Sequence, residues 1–289
     1  MRNTAGVPGD TTRRAAVLGK PIAHSLSPVI HTAGYAAAGL TGWSYTRIEC
    51  AAAELPDLVA GLGPEWAGLS VTMPGKEAAL AVAAQASPVA AAVGAANTLV
   101  RRPDGSWFAD NTDVAGMVQV LTDAGVVAGA AVTVLGAGGT ARAALAAAAQ
   151  LACSSVTVVA RRAAAVDELR PVAGALGVEL TPAGWADAHR HLSAGEVVVS
   201  TVPRGVADAL AGTVAWRAGA VFFDALYDPW PTPLAASAVA AGLRVVSGLD
   251  LLLAQAVGQF EQFTGVAAPV EAMRIALRTA TTAVPLAES

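Results

Sequence analysis

The ten residues VTVLGAGGTA, Val132 to Ala141, decide the fold. A short run of β-branched and apolar residues passes directly into Gly136, Ala137, Gly138, Gly139, Thr140 and Ala141, and an alanine-rich helical stretch follows as far as Gln150. This is the G-x-G-x-x-A pattern of a dinucleotide-binding turn. The first glycine permits the tight turn, the second lets backbone approach a pyrophosphate, and the small third residue lets helix pack on strand. The helix N-terminus then turns its unpaired amides toward the phosphates. A glycine pattern alone is a weak signal. Here a strand precedes it, a helix follows it, and a second strand, Ser155 to Ala160, stands at the expected distance. The end of that second strand selects the cofactor, because NAD sites usually place Asp or Glu there for the ribose hydroxyls. Ala160, Arg161 and Arg162 stand there instead. Two guanidinium groups suit the 2′-phosphate of NADP through charge-assisted hydrogen bonds. The alternative is a solvated pair opening the next helix, a place electrostatically unfavourable for cations.

Outward from this turn, short apolar runs alternate with alanine-rich stretches in both directions. Upstream come AAVLG, SPVIHTAGYAAAG, WSYTRIEC, AELPDLVAGLG, GLSVTM and PGKEAALAVAAQ; downstream come SVTVVA, VDELRPVAGALG, EVVVS, AVFFDAL and RVVSG. Strand followed by helix, repeated, predicts largely parallel sheets covered by helices. The expectation is an α/β protein of two domains: a mainly parallel open-sheet domain over residues 1–115, completed by C-terminal helices over 249–289, and a Rossmann-type domain over 116–248. Residues 1–12, MRNTAGVPGDTT, carry no period and read as a loose terminus. The tail from Leu249 to about Thr282 is helical in pattern, interrupted between Gly265 and Pro269.

Composition excludes several function classes. The chain has 289 residues, enough for two cores, and its charged share of 14% lies well below the usual quarter or so, which argues for a folded globule. A formal net charge of −4 supplies no overall positive field for nucleic acid or an anionic membrane. The uncharged stretches Ala78 to Val100 and Ala143 to Ala160 are long enough to span a bilayer, but they contain Gln85, Pro88, Asn97 and Gln150 and lean on Ala. They read as helix and strand pairs. Arg13 and Arg14 mimic a twin-arginine signal, yet Lys20, Pro21 and His24 cut short the apolar run after them. A cytoplasmic location is expected. Cys50 and Cys153 have no CxxC partner and read as buried thiols. His189 and His191 have H-x-H spacing without a third ligand nearby, so they read as a surface loop and no metal is expected.

Candidate chemistry gathers at strand ends, where open α/β sheets bind ligands. After the strand ending at Gly19, Ser27 and Pro28 read as helix N-cap and first helical residue. Ser25 and Ser27, two apart in an extended segment, would point to one side and offer two hydroxyls beside the helix amides, a receptor for a carboxylate. A second strand ends at Ser70, Val71 and Thr72, and Pro74 reads as the start of a helix with Lys76 in its first turn. A cation at the positive pole of the helix dipole is expected to have a depressed pKa, partly offset by Glu77, and such a lysine can pass a proton near neutral pH. Asn97-Thr98 follows a small-residue turn, and Asp110-Asn111-Thr112-Asp113 opens the second series.

The runs GKPIAHSLSPVIH, SVTMPGK, GAANTL, DNTD, GAGGTA, DALYDPWPTPL and SGLDLLLAQAVGQFEQFTG, in this order over about residues 15–280, resemble shikimate dehydrogenase. The resemblance implies reversible reduction of 3-dehydroshikimate to shikimate by NADPH, in a cleft between the two domains, on the route to aromatic amino acids. It implies that Ser25 and Ser27 hold the substrate carboxylate and that Thr72, Asn97, Asp113 and Gln255 bind the ring oxygens. Lys76 and Asp113 would be the catalytic pair, Tyr227 would close on the substrate, and Gly248 would line the nicotinamide pocket. The chain departs from the family pattern at Ser70, where Asn is usual, at Thr32 and at Leu251. It also departs at Ala160, which makes Arg161 the safer phosphate ligand. Ser27 favours shikimate over quinate. The alternatives are a quinate/shikimate dehydrogenase of broader specificity and a non-catalytic NADP-binding regulator. The expected partners are the small-molecule substrate and a monomeric or homodimeric state, with no nucleic acid and no membrane.

Overall fold

In the computed structural model, residues 12–153 and 155–282 are described. The polar opening stretch lies, but for Thr12, outside them, as do residues 283–289. In chain order the first elements are β1 (Arg13–Gly19), α1 (Ser27–Ala37), β2 (Trp43–Glu49), α2 (Leu55–Ala60), β3 (Trp66–Val71), α3 (Lys76–Val82), β4 (Gln85–Ala86), α4 (Pro88–Val93), β5 (Thr98–Arg101) and β6 (Trp107–Asp110). There follow α5 (Thr112–Asp123), β7 (Val132–Leu135), α6 (Gly139–Gln150), β8 (Ser155–Ala160), α7 (Ala163–Asp167), α8 (Arg170–Leu176) and β9 (Glu179–Gly184). The chain continues through α9 (Ala188–Ala194), β10 (Val197–Ser200), β11 (Val221–Asp224), α10 (Pro233–Ala240), β12 (Arg244–Val246), α11 (Gly248–Thr264) and α12 (Val270–Thr282).

Two compact units emerge. One comprises the chain up to Gln85, Asn97–Ala109 and everything from Gln259; the other comprises Ala86–Ala96 and Asp110–Gly258. The helix α11 thus begins in the second unit and ends in the first.

The first unit is built on a mixed sheet of order β2-β1-β3-β5-β6-β4. Its central strand β1 buries Ala15, Ala16, Val17 and Leu18 and pairs in parallel with both β2 and β3. Buried on both faces, such a strand reads as a continuous apolar run rather than an alternating one. β3 then pairs antiparallel with β5, placing Ser70 opposite Thr98. The core on this sheet is aromatic: His31 stacks on Tyr45 at 4.1 Å and lies near Phe260 and Phe263. Two glycines make room for those rings. A Cβ on Gly68 would fall 2.0 Å from the Phe263 ring, and one on Gly34 would fall 2.9 Å from Phe260. This is the strand glycine that marks a close approach.

The second unit is an all-parallel sheet of order β12-β11-β10-β7-β8-β9. Its valine-rich strands bury Val134, Val158, Val199 and Phe223 among one set of helices and Val198, Val159 and Phe222 among the other. The mixed α/β architecture with two sheets, largely parallel, is the one the sequence predicts.

Several local expectations are corrected. Leu26, not Ser27, is the N-cap of α1, and no side chain caps it. The Ser25 segment is a turn rather than extended, closed by the Ser25 amide donating to the Ile22 carbonyl at 3.0 Å. The helix after β3 begins at Lys76, because Thr72 to Gly75 forms a turn closed by Gly75 N donating to Thr72 O at 2.9 Å. The stretch VDELRPVAGALG is two helices, α7 and α8. The Pro171 ring has no N–H and would crowd the carbonyl four residues back, at Asp167, where α7 ends. His189 and His191 lie on α9, a surface helix and not a loop.

Candidate active site

In the second unit each position of the glycine pattern meets its physical requirement. Gly136 has φ +108°, and a Cβ there would lie 2.4 Å from Thr201 Oγ1, so the turn excludes any side chain. Thr201 is held in place by donating from both its amide and its hydroxyl to Leu135 O, at 2.8 and 3.0 Å. Gly138 is exposed, and nothing stands within 4 Å of where its Cβ would be. That open space lies at the N-cap of α6, a helix of 12 residues with no side-chain cap. Its first amides are therefore available to an anion. Ala137 and Thr140 are half-buried and Gly139 is exposed beside them, while Ala141 is fully buried, pressing helix on sheet. The donor set and the uncovered glycine backbone fit a dinucleotide pyrophosphate. Arg161 and Arg162 are both exposed between β8 and α7.

The Tyr227 loop is pinned at both ends. Asp224, buried at the end of β11, accepts from Leu226 N at 3.1 Å and from the Thr232 hydroxyl at 2.7 Å. Thr232 in turn caps α10 by accepting from Ala235 N. Burial raises the Asp224 carboxyl above its usual range, against the lowering effect of those donors. Burial also raises the half-buried Tyr227 phenol, with Asp228 adding to it. Gly248 opens α11 against this loop: its amide donates to Leu226 O, and a Cβ would fall 2.2 Å from Ala225 O. The bare backbone is thus required by the protein's own chain.

Asp113 and Gln255 lie on two helices of this unit that approach closely. Gly116 permits it: its Cβ would stand 3.0 Å from Gln255 N, and Gly258 packs on Thr112 in the same contact. Asp113 is 8% exposed, in the first turn of α5, where a carboxylate is favourably placed. Gln255 is buried and donates to Leu252 O at 2.7 Å. The residues before Asp113 hold the turn. Asp110 accepts from the Ser87 hydroxyl, and Asn111 Nδ2 donates to Ala95 O.

In the first unit Ser25, Ser27, Thr72, Lys76 and Asn97 gather at one end of the sheet. Thr72 N donates to Leu18 O, Val71 N donates to Asn97 O, and Lys20 N donates to Met73 O, so the ends of β1 and β3 and the start of β5 are stitched side by side. Ser25 Oγ accepts from Ser27 N at 3.3 Å, and the Arg47 guanidinium donates twice to Ser25 O, holding the loop on β2. Ser27 is buried, its hydroxyl beside the Tyr45 phenol. Lys76 is the first residue of α3 and half-buried. Sequence reasoning singled out Ser70 and Thr98 but missed Tyr45 and Gln259, and the four form a buried polar chain behind Asn97. The available signal was Gln259 standing one helical turn after Gln255, on the same face of α11.

The family model described as the shikimate dehydrogenase substrate binding domain matches residues 17–99, and the one described as the shikimate 5'-dehydrogenase C-terminal domain matches residues 248–278. A relative from Methylobacterium radiotolerans, named shikimate dehydrogenase (NADP(+)), is 40% identical over 88% of this chain and 92% of its own length. The chain belongs to the shikimate dehydrogenase family. Its fold agrees. A shikimate dehydrogenase from Mycobacterium tuberculosis superposes with TM-score 0.85 at 51% identity, covering 92% of this chain and 99% of that one. The shikimate 5-dehydrogenase of Thermus thermophilus, solved in complex with NADP(H) and shikimate, gives TM-score 0.79 at 30% identity over 93% of this chain and 99% of that one. The first family match spans Ser25, Ser27, Thr72, Lys76 and Asn97, and the second spans Gly248 and Gln255. Among the described residues, no group of three or more His, Cys, Asp or Glu could hold a metal ion, and no helix is long and apolar enough to cross a membrane.

Proposed function

We propose that this chain is an NADP-dependent shikimate dehydrogenase, reversibly reducing 3-dehydroshikimate to shikimate on the route to aromatic amino acids. The observation that carries the reading is the 40% identity, over 88% of the chain, to a relative named for both that substrate and that cofactor. In the functional division, residues 1–115 and 249–289 serve the substrate and residues 116–248 serve the cofactor.

NADPH, when bound, supplies the hydride. The amides around Gly136 to Ala141 take the pyrophosphate, and Arg161 and Arg162 take the 2′-phosphate, where an NAD site would need a carboxylate. Ser25 and Ser27 receive the substrate carboxylate, and Thr72, Asn97, Asp113 and Gln255 bind the ring oxygens. Tyr227 closes on the ring, and Gly248 lines the nicotinamide pocket. Lys76 gives its Nζ proton to the carbonyl oxygen as negative charge develops there, and Asp113 orients the amine and balances its charge. In the oxidation direction Lys76 takes that proton back. We place the enzyme in the cytoplasm as a monomer or homodimer; its two cysteines are free and buried, in keeping with a reducing compartment.

Initial rates on shikimate and quinate, each with NADP and NAD, test the reading. It expects the highest kcat/KM with shikimate and NADP. Comparable turnover of quinate would replace it with the broader dehydrogenase, and cofactor binding without turnover of either acid would leave the regulator.

A further inference from the structure

The Ser25 and Ser27 hydroxyls are uncharged, and a chain with a formal net charge of −4 offers an anion no favourable overall field. Ser25 Oγ already accepts from Ser27 N at 3.3 Å, so what it has to give an anion is its proton. Two hydroxyls can hold a carboxylate in place, but they supply no counter-charge. The counter-charge stands on the neighbouring strand. Arg47 on β2 lies opposite Val17 of the central strand, and its Nε and Nη2 both donate to Ser25 O, the former at 2.9 Å. One edge of the guanidinium is thereby spent on a neutral carbonyl, which orients the group and leaves its charge uncompensated. Among the described residues no carboxylate forms an ion pair with Arg47. Glu49, on the same side of the strand, lies 4.0 Å from Lys20 instead. Arg47 is exposed, and its remaining N–H groups make no hydrogen bond to a described residue. Covalent geometry keeps a serine Oγ close to its own carbonyl oxygen, so the Arg47 charge lies on the order of 7 Å from the Ser25 hydroxyl.

We propose that Arg47 is a specificity-determining residue: one edge anchors the Ser25 backbone, and the group as a whole supplies the positive charge that selects an ionised carboxylate over an uncharged ester of the same ring. The inference rests on the assignment of the substrate carboxylate to Ser25 and Ser27. At this range, in a setting open to water, a unit charge changes the binding of an anion by roughly three- to tenfold. Salt screens the effect, because the Debye length falls from about 30 Å at 0.01 M to about 3 Å at 1 M. The charge acts on substrate and transition state alike, so it shows in KM and kcat/KM and leaves kcat nearly unchanged.

The test compares kcat/KM for shikimate with kcat/KM for shikimate methyl ester, on the full chain with saturating NADP. The acid-to-ester ratio cancels any general damage to the loop, which would lower both. Arg47→Gln, which lacks the charge, should lower that ratio by roughly three- to tenfold at 0.01 M salt and by less than about twofold at 1 M. Arg47→Lys keeps the charge and loses the fork, so its ratio should stay within about twofold of wild type even where both rates fall. Where the ester turns over too slowly to follow, its inhibition constant against shikimate replaces its kcat/KM. The inference is overturned if Arg47→Gln lowers acid and ester by the same factor, as a purely structural anchor would, if it changes neither, or if the drop in ratio persists at 1 M salt. Unchanged kcat/KM for both substrates in Ser25→Ala and in Ser27→Ala would instead remove the carboxylate assignment, and absence of shikimate turnover in wild type would remove the proposed function; either takes the inference with it.

Discussion

Replacing His31 by Phe should change how the protein responds to acid, by an amount that follows from where the ring sits. His31 is fully buried in α1, stacked on Tyr45 and flanked by Tyr35, Phe260 and Phe263. Burial, opposed only in part by the Gln259 amide beside it, pulls its pKa from 6.5 down to about 3. Burial pushes the phenols of Tyr35 and Tyr45 up, so both stay neutral throughout the acid range. The folded protein therefore holds His31 neutral between pH 6.5 and about 3, while the unfolded chain protonates it. More protons bind to the unfolded state, so the stability contribution is whole above pH 6.5 and is lost as pH falls through this window. At about 1.4 kcal/mol per pH unit the full loss is about 5 kcal/mol. Asp224, raised by burial, acts with opposite sign at the acid end, so the informative quantity is the difference between two proteins. His31→Phe keeps an aromatic ring against Tyr45 and has nothing to protonate. Urea midpoints measured every half unit from pH 7 to pH 4 should show wild type losing about 1.4 kcal/mol per unit more than the variant below pH 6. Parallel curves would refute the reasoning, because they would mean that the folded state takes up the proton as readily as the unfolded chain.

Three further outcomes follow from the geometry. Gly248→Ala drives a Cβ into Ala225 O at 2.2 Å with Leu226 O at 3.1 Å, and backbone cannot swing aside as a side chain can. Thermal unfolding should report a loss of about 3 kcal/mol, with a raised KM for NADP as the Tyr227 loop shifts. Arg161→Ala should raise the KM for NADP by roughly tenfold to a hundredfold and leave that for NAD nearly unchanged, the effect of removing a charge-assisted bond to the 2′-phosphate. Thr232→Val removes the donor to Asp224 and the cap of α10 together, and should cost about 2 kcal/mol by denaturant titration, since the Asp224 carboxyl remains buried.

What the sequence makes legible is local. The turn at Gly136, Gly138 and Ala141 can be read because positive φ, open backbone and tight packing each demand a residue type at a fixed spacing, and each demand is met in the structure. The break of α11 from α12 is written in the Gly265 to Pro269 stretch for the same reason. The distant partners around Asn97 are not legible. Gln259 lies 162 residues away and Ser70 lies 189 residues from Gln259, and no local pattern carries a pairing of that range. The start of α1 misleads because Ser27 followed by Pro28 satisfies the rule for a cap, whereas the Ser27 side chain is buried beside Tyr45 and its amide is taken by Ser25 Oγ. Gly248 also meets a demand that the sequence reading does not contain. A glycine can serve a ligand or its own chain, and only the Ala225 carbonyl 2.2 Å from a hypothetical Cβ reveals the second.

The central claim is that an amine at position 76 and a carboxylate at position 113 work as one proton-transfer unit on shikimate. The kcat of Lys76→Met, Asp113→Asn and the double variant, followed as reduced nicotinamide formed from shikimate and NADP, tests it directly. Each single change should lower kcat by roughly a hundredfold to ten-thousandfold, and the double variant should be about as slow as the slower single one. A Lys76→Met enzyme within about tenfold of wild type, or losses that simply multiply in the double variant, would contradict the account.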